Sequence, residues 1–151
     1  MDQSIAPELH QGPITGAVTP DEAKLPGEHA ISISRLEALP NPAVRKYVIH
    51  FSYPEFTCKC PRTGYPDFAT FDIWMVPDRS IVELKSLKLY LNRFRDQYAF
   101  HEDVTNRVLD DLVEAIQPQW IRIKAAWNAR GNLTTVITAE HNPDLRPAFD
   151  P

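Results

Sequence analysis

The order of hydrophobic periodicities predicts an α+β domain, an antiparallel four-stranded sheet backed by two helices in the order ββααββ. Three observations carry this. Two pairs of segments alternate apolar and polar residues, as half-buried strands do. Two segments between them repeat apolar residues every three to four positions, as amphipathic helices do. Proline- and glycine-rich turn clusters separate them. A chain of 151 residues is one domain by the length prior, and at that size it can bury roughly two-thirds of its unfolded surface.

The first thirty residues stand apart. Pro7, Pro13, Pro20 and Pro26 recur with Gly12, Gly16 and Gly27, and the apolar residues between them keep no period. Such a segment cannot bury enough surface to offset its ordering entropy, so residues 1–30 are expected to form a flexible acidic arm and residues 31–151 a single domain. Tyr47 to Ser52 is β-branched and aromatic, a strand. Residues 53–66 hold Pro54, Pro61, Gly64 and Pro66 and are expected to form a structured loop. Phe68 to Val76 is the second strand, with Phe71, Ile73 and Met75 on one face and Thr70, Asp72 and Trp74 on the other. Ile81 to Glu83 is a short extended piece leading to a helix, for which Ser86 is a candidate cap and Leu87, Tyr90, Leu91 and Phe94 form the apolar stripe. Val104, Val108, Leu109, Leu112, Val113 and Ile116 make the stripe of a longer helix. Glu102 and Asp103 sit at its start and Pro118 beyond its end. Trp120 to Trp127 and Leu133 to Ala139 form the second hairpin, joined through Ala129-Arg130-Gly131-Asn132. A lone four-stranded sheet leaves two open edges, so edge-to-edge pairing with copies of itself is expected.

Composition narrows the functions. No stretch approaches the ~20 apolar residues of a membrane span. The start, Met1-Asp2-Gln3-Ser4, has no basic, then apolar, signal pattern, and two cysteines are too few for a disulfide scaffold. The expectation is a cytoplasmic protein with free thiols. The net charge of −4 resides in residues 1–30, with five acids and one base, while the remainder holds 15 of each sign. That balance does not favour direct nucleic-acid binding. Only five glycines are present, none in a G-x-G-x-x-G or G-x-x-x-x-G-K pattern, so no nucleotide is cradled by those devices.

The densest cluster of special residues is Cys58-Lys59-Cys60-Pro61-Arg62-Thr63-Gly64-Tyr65-Pro66-Asp67-Phe68. A cysteine on a proline-constrained turn can be held at a fixed, exposed position, with Lys59 and Arg62 favouring its thiolate, and Asp67 is placed to exchange protons with what the sulfur attacks. The competing readings are a cysteine packed as a small hydrophobe, and a metal site with His50 or His101. The C-x-C spacing lacks the C-x₂₋₄-C of a structural zinc site. Alone, Lys85 and Lys88 read as a solvated helix face with Glu83 as their partner, and His101-Glu102 as a helix-start acid beside a surface imidazole.

Taken together, Pro54-Glu55-Phe56-Thr57, Cys60-Pro61, Thr63-Gly64, Pro66-Asp67-Phe68, Glu83-x-Lys85-Ser86-Leu87-Lys88-Leu89-Tyr90 and Phe100-His101-Glu102-Asp103 resemble the NADPH-dependent 7-cyano-7-deazaguanine reductases, the nitrile reductases of queuosine biosynthesis, in their unimodular form. The resemblance runs from Tyr47 to the end of the second hairpin. It implies the tunnelling fold, with ring-type homo-oligomers (pairs of pentamers) whose joined sheets form barrels with active sites between neighbours. It also implies Cys60 as the nucleophile that forms a thioimide, Asp67 as general acid, and His101 and Glu102 with Val82, Glu83 and Leu84 around a small-molecule substrate. NADPH is implied as co-substrate, two per turnover, with Lys85 and Lys88 assigned to its phosphates and no metal. Leu84 stands where serine is frequent in the family, Tyr65 where glutamine is frequent, and Cys58 is an additional thiol. The alternative is a zinc-dependent purine- or pterin-ring hydrolase of the GTP cyclohydrolase type on the same fold.

Overall fold

Alternation of large apolar residues with polar ones is what lets two long hairpins share one buried face. In the computed structural model, which describes residues 24–148, strands β2 (Ile49–Lys59), β3 (Pro66–Val76), β5 (Trp120–Arg130) and β6 (Leu133–His141) form one antiparallel sheet in the order β2-β3-β5-β6. A short ribbon pairs β1 (Ala38–Pro40) with β4 (Ser80–Val82). Helices α2 (Leu84–Asn92) and α3 (His101–Ile116) lie between the two hairpins in sequence, and α3 packs on β5 and β6. This is the expected ββααββ order.

Between helices and sheet lies one core. Phe71, Ile73, Met75, Ile121, Ile123 and Ala125 from the strands meet Leu87, Leu91, Val104, Val108 and Leu112 from the helices. Phe56 stacks on Phe71, with ring centroids 4.0 Å apart, and Trp127 meets both rings edge-on. At roughly 25 cal/mol per Å² of apolar surface, this packing is the main term holding the fold. On the opposite face of the sheet Trp74, Val76 and Trp120 form a smaller cluster.

Three local expectations are corrected. Residues 53–59, expected to be loop, continue β2. The register shifts between Tyr53 and Phe56, and this irregularity takes in Pro54 on an edge strand, where a missing N–H breaks no interior ladder. The cap of α2 is Glu83 rather than Ser86. The Glu83 carboxylate accepts from the N–H of Lys85 (2.9 Å) and Ser86 (2.6 Å), while the Ser86 hydroxyl donates to the Glu83 carbonyl (2.7 Å) and accepts from Glu37 N–H. Pro26 to Ala30, expected at the end of the arm, belong to an eight-residue helix, α1 (Pro26–Ile33). Pro26 occupies its first position, where its absent N–H leaves nothing unsatisfied. The rest of the expected arm, residues 1–23, lies outside the described residues. Among the described residues no helix is long and apolar enough to cross a membrane.

Candidate active site

The hairpin turn between β2 and β3 is Cys60–Tyr65. It closes through Cys60 N–H to the Tyr65 carbonyl (2.8 Å) and Gly64 N–H to the Cys60 carbonyl (2.9 Å). Gly64 has φ +75°, a conformation that side chains other than glycine rarely adopt. This curl turns the Thr63 hydroxyl, and then the N–H groups of Arg62 and Thr63, toward the Cys60 sulfur. Donors aimed at a thiolate favour the ionised form, and these hydrogen bonds, with a smaller one from the Arg130 side chain, bring the Cys60 thiol down to about 7.

Segment 97–99 runs alongside the end of β2. Lys59 N–H donates to the Gln97 carbonyl (2.9 Å) and Ala99 N–H to the Lys59 carbonyl (3.1 Å). That pairing carries the start of α3 to the turn. A cavity of about 170 Å³ results, lined by Cys60, Pro61, Asp67, Phe100, His101, Glu102 and Arg130, with Ala99 at its wall.

Asp67, the second residue of β3, is only 4% exposed. A buried carboxylate needs partners. Arg130 Nη1 donates to its Oδ1, and His101 Nε2 lies 3.4 Å from its Oδ2. The His101 ring is fixed by stacking on Trp127, at 3.8 Å between centroids and 4° between planes. Glu102 follows in the first turn of α3 and is exposed at the cavity rim.

The sequence therefore places four of its site residues together, Cys60, Asp67, His101 and Glu102. Arg130 and Trp127 join them from β5, and neither was singled out as functional from sequence. Trp127 was legible only as an apolar-face residue, and Arg130 only as part of a tight connection. The signal for both lies in the β3–β5 register, which pairs Ala69 with Trp127 and so brings the end of β5 beside Asp67.

Other expected residues lie elsewhere in the chain. Val82 is buried at the end of β4, Glu83 caps α2 and Leu84 is exposed beyond it. None of the three lines the Cys60 cavity. Helix-capping hydrogen bonds hold the Glu83 carboxyl below its usual range. Lys85 and Lys88 are exposed one turn apart on α2. Lys59 was expected to support the thiolate, but it is drawn to Asp96 (3.5 Å) and over the Tyr98 ring (5.7 Å). Arg62 acts through its N–H. Cys58, fully buried beneath the Ala99 carbonyl, is pushed up to about 12, first by burial and then by the Asp67 charge.

Comparison with known proteins follows the same outline. A model of the family described as QueF-like protein matches residues 66–145. The Synechocystis NADPH-dependent 7-cyano-7-deazaguanine reductase is 47% identical over 131 residues, spanning 86% of this chain and 96% of the relative. That of Gloeobacter violaceus is 52% identical over 126 residues (83% and 92%), and that of Nitrosospira multiformis 55% over 107 residues (70% and 77%). A crystal structure of the archaeosine synthase QueF-Like in the apo form superposes with a TM-score of 0.59 at 14% identity, covering 63% of this chain and 93% of that one. At that identity the likeness speaks for the fold.

Proposed function

The chain belongs to the NADPH-dependent 7-cyano-7-deazaguanine reductases, and from that premise we propose that Cys60 is the nucleophile and Asp67 the proton-transfer group of its nitrile reduction. The enzyme reduces 7-cyano-7-deazaguanine with NADPH, an oxidoreductase reaction on a small-molecule substrate. We assign it to queuosine biosynthesis in the cytoplasm.

The single observation that carries the residue assignment is Cys60. Its thiol is lowered to about 7 at the mouth of a cavity whose wall holds a buried, doubly contacted carboxylate. A nitrile carbon is a weak electrophile. Attack by the Cys60 thiolate forms an S–C bond, converts C≡N to C=N and leaves the nitrogen to take up the proton that left sulfur. The resulting thioimide accepts hydride more readily than the nitrile. Asp67 lines the same cavity as the sulfur, and we assign it the passing of that proton. Each NADPH, when bound, would supply one hydride, so two are needed per turnover. The residues assigned to it, Lys85 and Lys88, fit the charge of its phosphates as exposed cations one helical turn apart. Glu102 is positioned to accept two N–H bonds side by side from the guanine-like edge, and His101 to line the ring.

Val82, Glu83 and Leu84 do not reach the Cys60 cavity of their own chain, so we assign them to the site of a neighbouring copy. The sheet leaves β2 and β6 as edges, which supports a homo-oligomer joined edge to edge. A site closed between subunits also keeps an imine intermediate from water. The zinc-dependent hydrolase reading is not favoured. The relatives are reductases.

Intact-mass measurement of the protein mixed with the nitrile alone tests the assignment. The expected result is an adduct of substrate mass that is absent from Cys60→Ala. An adduct retained in that variant, or one mapped to Cys58, overturns it.

A further inference from the structure

Resting on the reading of Cys60 as nucleophile, we infer that Arg130 is a positioning residue that divides the Asp67 carboxylate, anchoring Oδ1 and leaving Oδ2 to carry the proton while its guanidinium faces the Cys60 sulfur.

The geometry begins in the second hairpin. The β5–β6 register shifts between Trp127 and Arg130, and the chain then turns through Gly131 (φ +54°) and Asn132 (φ +67°). An irregularity of this kind re-aims the side chain beside it, and here Arg130 is sent to Asp67 rather than outward. Its Nη1 donates to Oδ1, and the side chain lines the same cavity as Cys60. Arginine keeps its proton throughout the working range, so the oxygen it holds is a poor proton carrier. Oδ2, with His101 Nε2 at 3.4 Å, is the remaining one. In thioimide formation the S–H proton leaves sulfur and arrives on the nitrile nitrogen with no net change elsewhere. An acceptor with one fixed and one available oxygen can relay it without rotating.

The charged and titratable groups around the sulfur are Cys58, Lys59 and Arg62 on its own passage, Asp67 on β3, Arg130 on β5, and His101 and Glu102 on α3. Lys59 is engaged by Asp96. Arg130 is thus the guanidinium that holds the carboxylate and lines the cavity of the nucleophile.

The test uses Arg130→Met and Arg130→Lys in the full chain. The pH dependence of Cys60 alkylation by iodoacetamide is read by peptide mass without nitrile or NADPH. Adduct formation with the nitrile is timed separately. In Arg130→Met the alkylation midpoint is expected to rise from about 7 toward the ordinary thiol range. The pH profile of adduct formation is expected to move the same way, with its rate lowered on the order of 10²-fold. Arg130→Lys is expected to recover the midpoint better than the rate, because a point charge cannot reproduce the planar fork. An unchanged midpoint and pH profile in Arg130→Met, whatever the rate, overturns the proposal by reducing Arg130 to a structural role. Should Arg130→Met not fold, Arg130→Gln keeps a donor for Asp67 without the charge, and the same midpoint shift is required of it. Wild-type protein that alkylates near pH 7 yet forms no nitrile adduct defeats Cys60 as nucleophile instead. The Arg130→Met midpoint still decides whether Arg130 holds the sulfur.

Discussion

The starts of α2 and α3 each carry a carboxylate, and the two are engaged differently. At the start of α2, Glu83 is consumed by its own backbone, its oxygens occupied by the N–H groups of Lys85 and Ser86. At the start of α3, no side chain caps the helix, and Glu102 stands exposed at the rim of the Cys60 cavity. The two cysteines repeat the contrast over a shorter distance. Cys58 is sealed against the Ala99 carbonyl and pushed up to about 12, whereas Cys60, two residues later, is brought down to about 7 by the donors of its turn. Residue type is the same within each pair. What differs is whether the local backbone has already satisfied the group or is arranged to activate it.

The largest expected effect comes from removing the activated sulfur. Cys60→Ala is expected to abolish NADPH oxidation in the presence of the nitrile, and Cys58→Ala to retain it. Loss of turnover in both variants would erase the contrast between the thiols. In wild type without nitrile, Cys60 alkylation should fall about tenfold per pH unit below 7, because the thiolate is the attacking form.

Next, Asp67→Ala is expected to slow adduct formation by roughly 10²- to 10⁴-fold, the usual range for a proton-transfer group, measured by stopped mass analysis. A smaller effect follows at the α3 start. Glu102→Ala removes a charge-assisted pair worth about 1.5–3 kcal/mol, so KM for the nitrile should rise by about 10- to 100-fold with kcat little changed. The smallest belongs to α2. Glu83→Ala is expected to lower stability by about 0.5–2 kcal/mol in urea unfolding while leaving the Cys60 alkylation midpoint in place. If Glu83→Ala moved that midpoint, the two helix starts would be coupled within one chain and the distinction between them would fail.

Much of this was readable beforehand where the physics is local. Phe71, Ile73 and Met75 alternate into the core, and Leu87, Tyr90, Leu91 and Phe94 trace a buried helical stripe, because a period of two or 3.6 assigns faces without reference to anything distant. Pro54 misled, since the sequence does not say which strand will be an edge, and only an edge tolerates proline at an irregularity. Ser86 and Glu83 were both capable caps, and the helix began at Leu84 because Glu83 could satisfy two N–H groups at once.

The sequence by itself determined the order of elements, the buried faces and the residues able to do nucleophilic and proton-transfer chemistry, all of which follow from short-range periodicity and side-chain type. Only the tertiary structure decided that Arg130 and Trp127 would stand beside Asp67 and His101, and that Lys59 would turn away to Asp96. Those outcomes depend on how distant segments meet, and the Arg130–Asp67 pair, 63 positions apart, depends on strand register. A one-residue slip would send every side chain to the opposite face, so no local pattern encodes them.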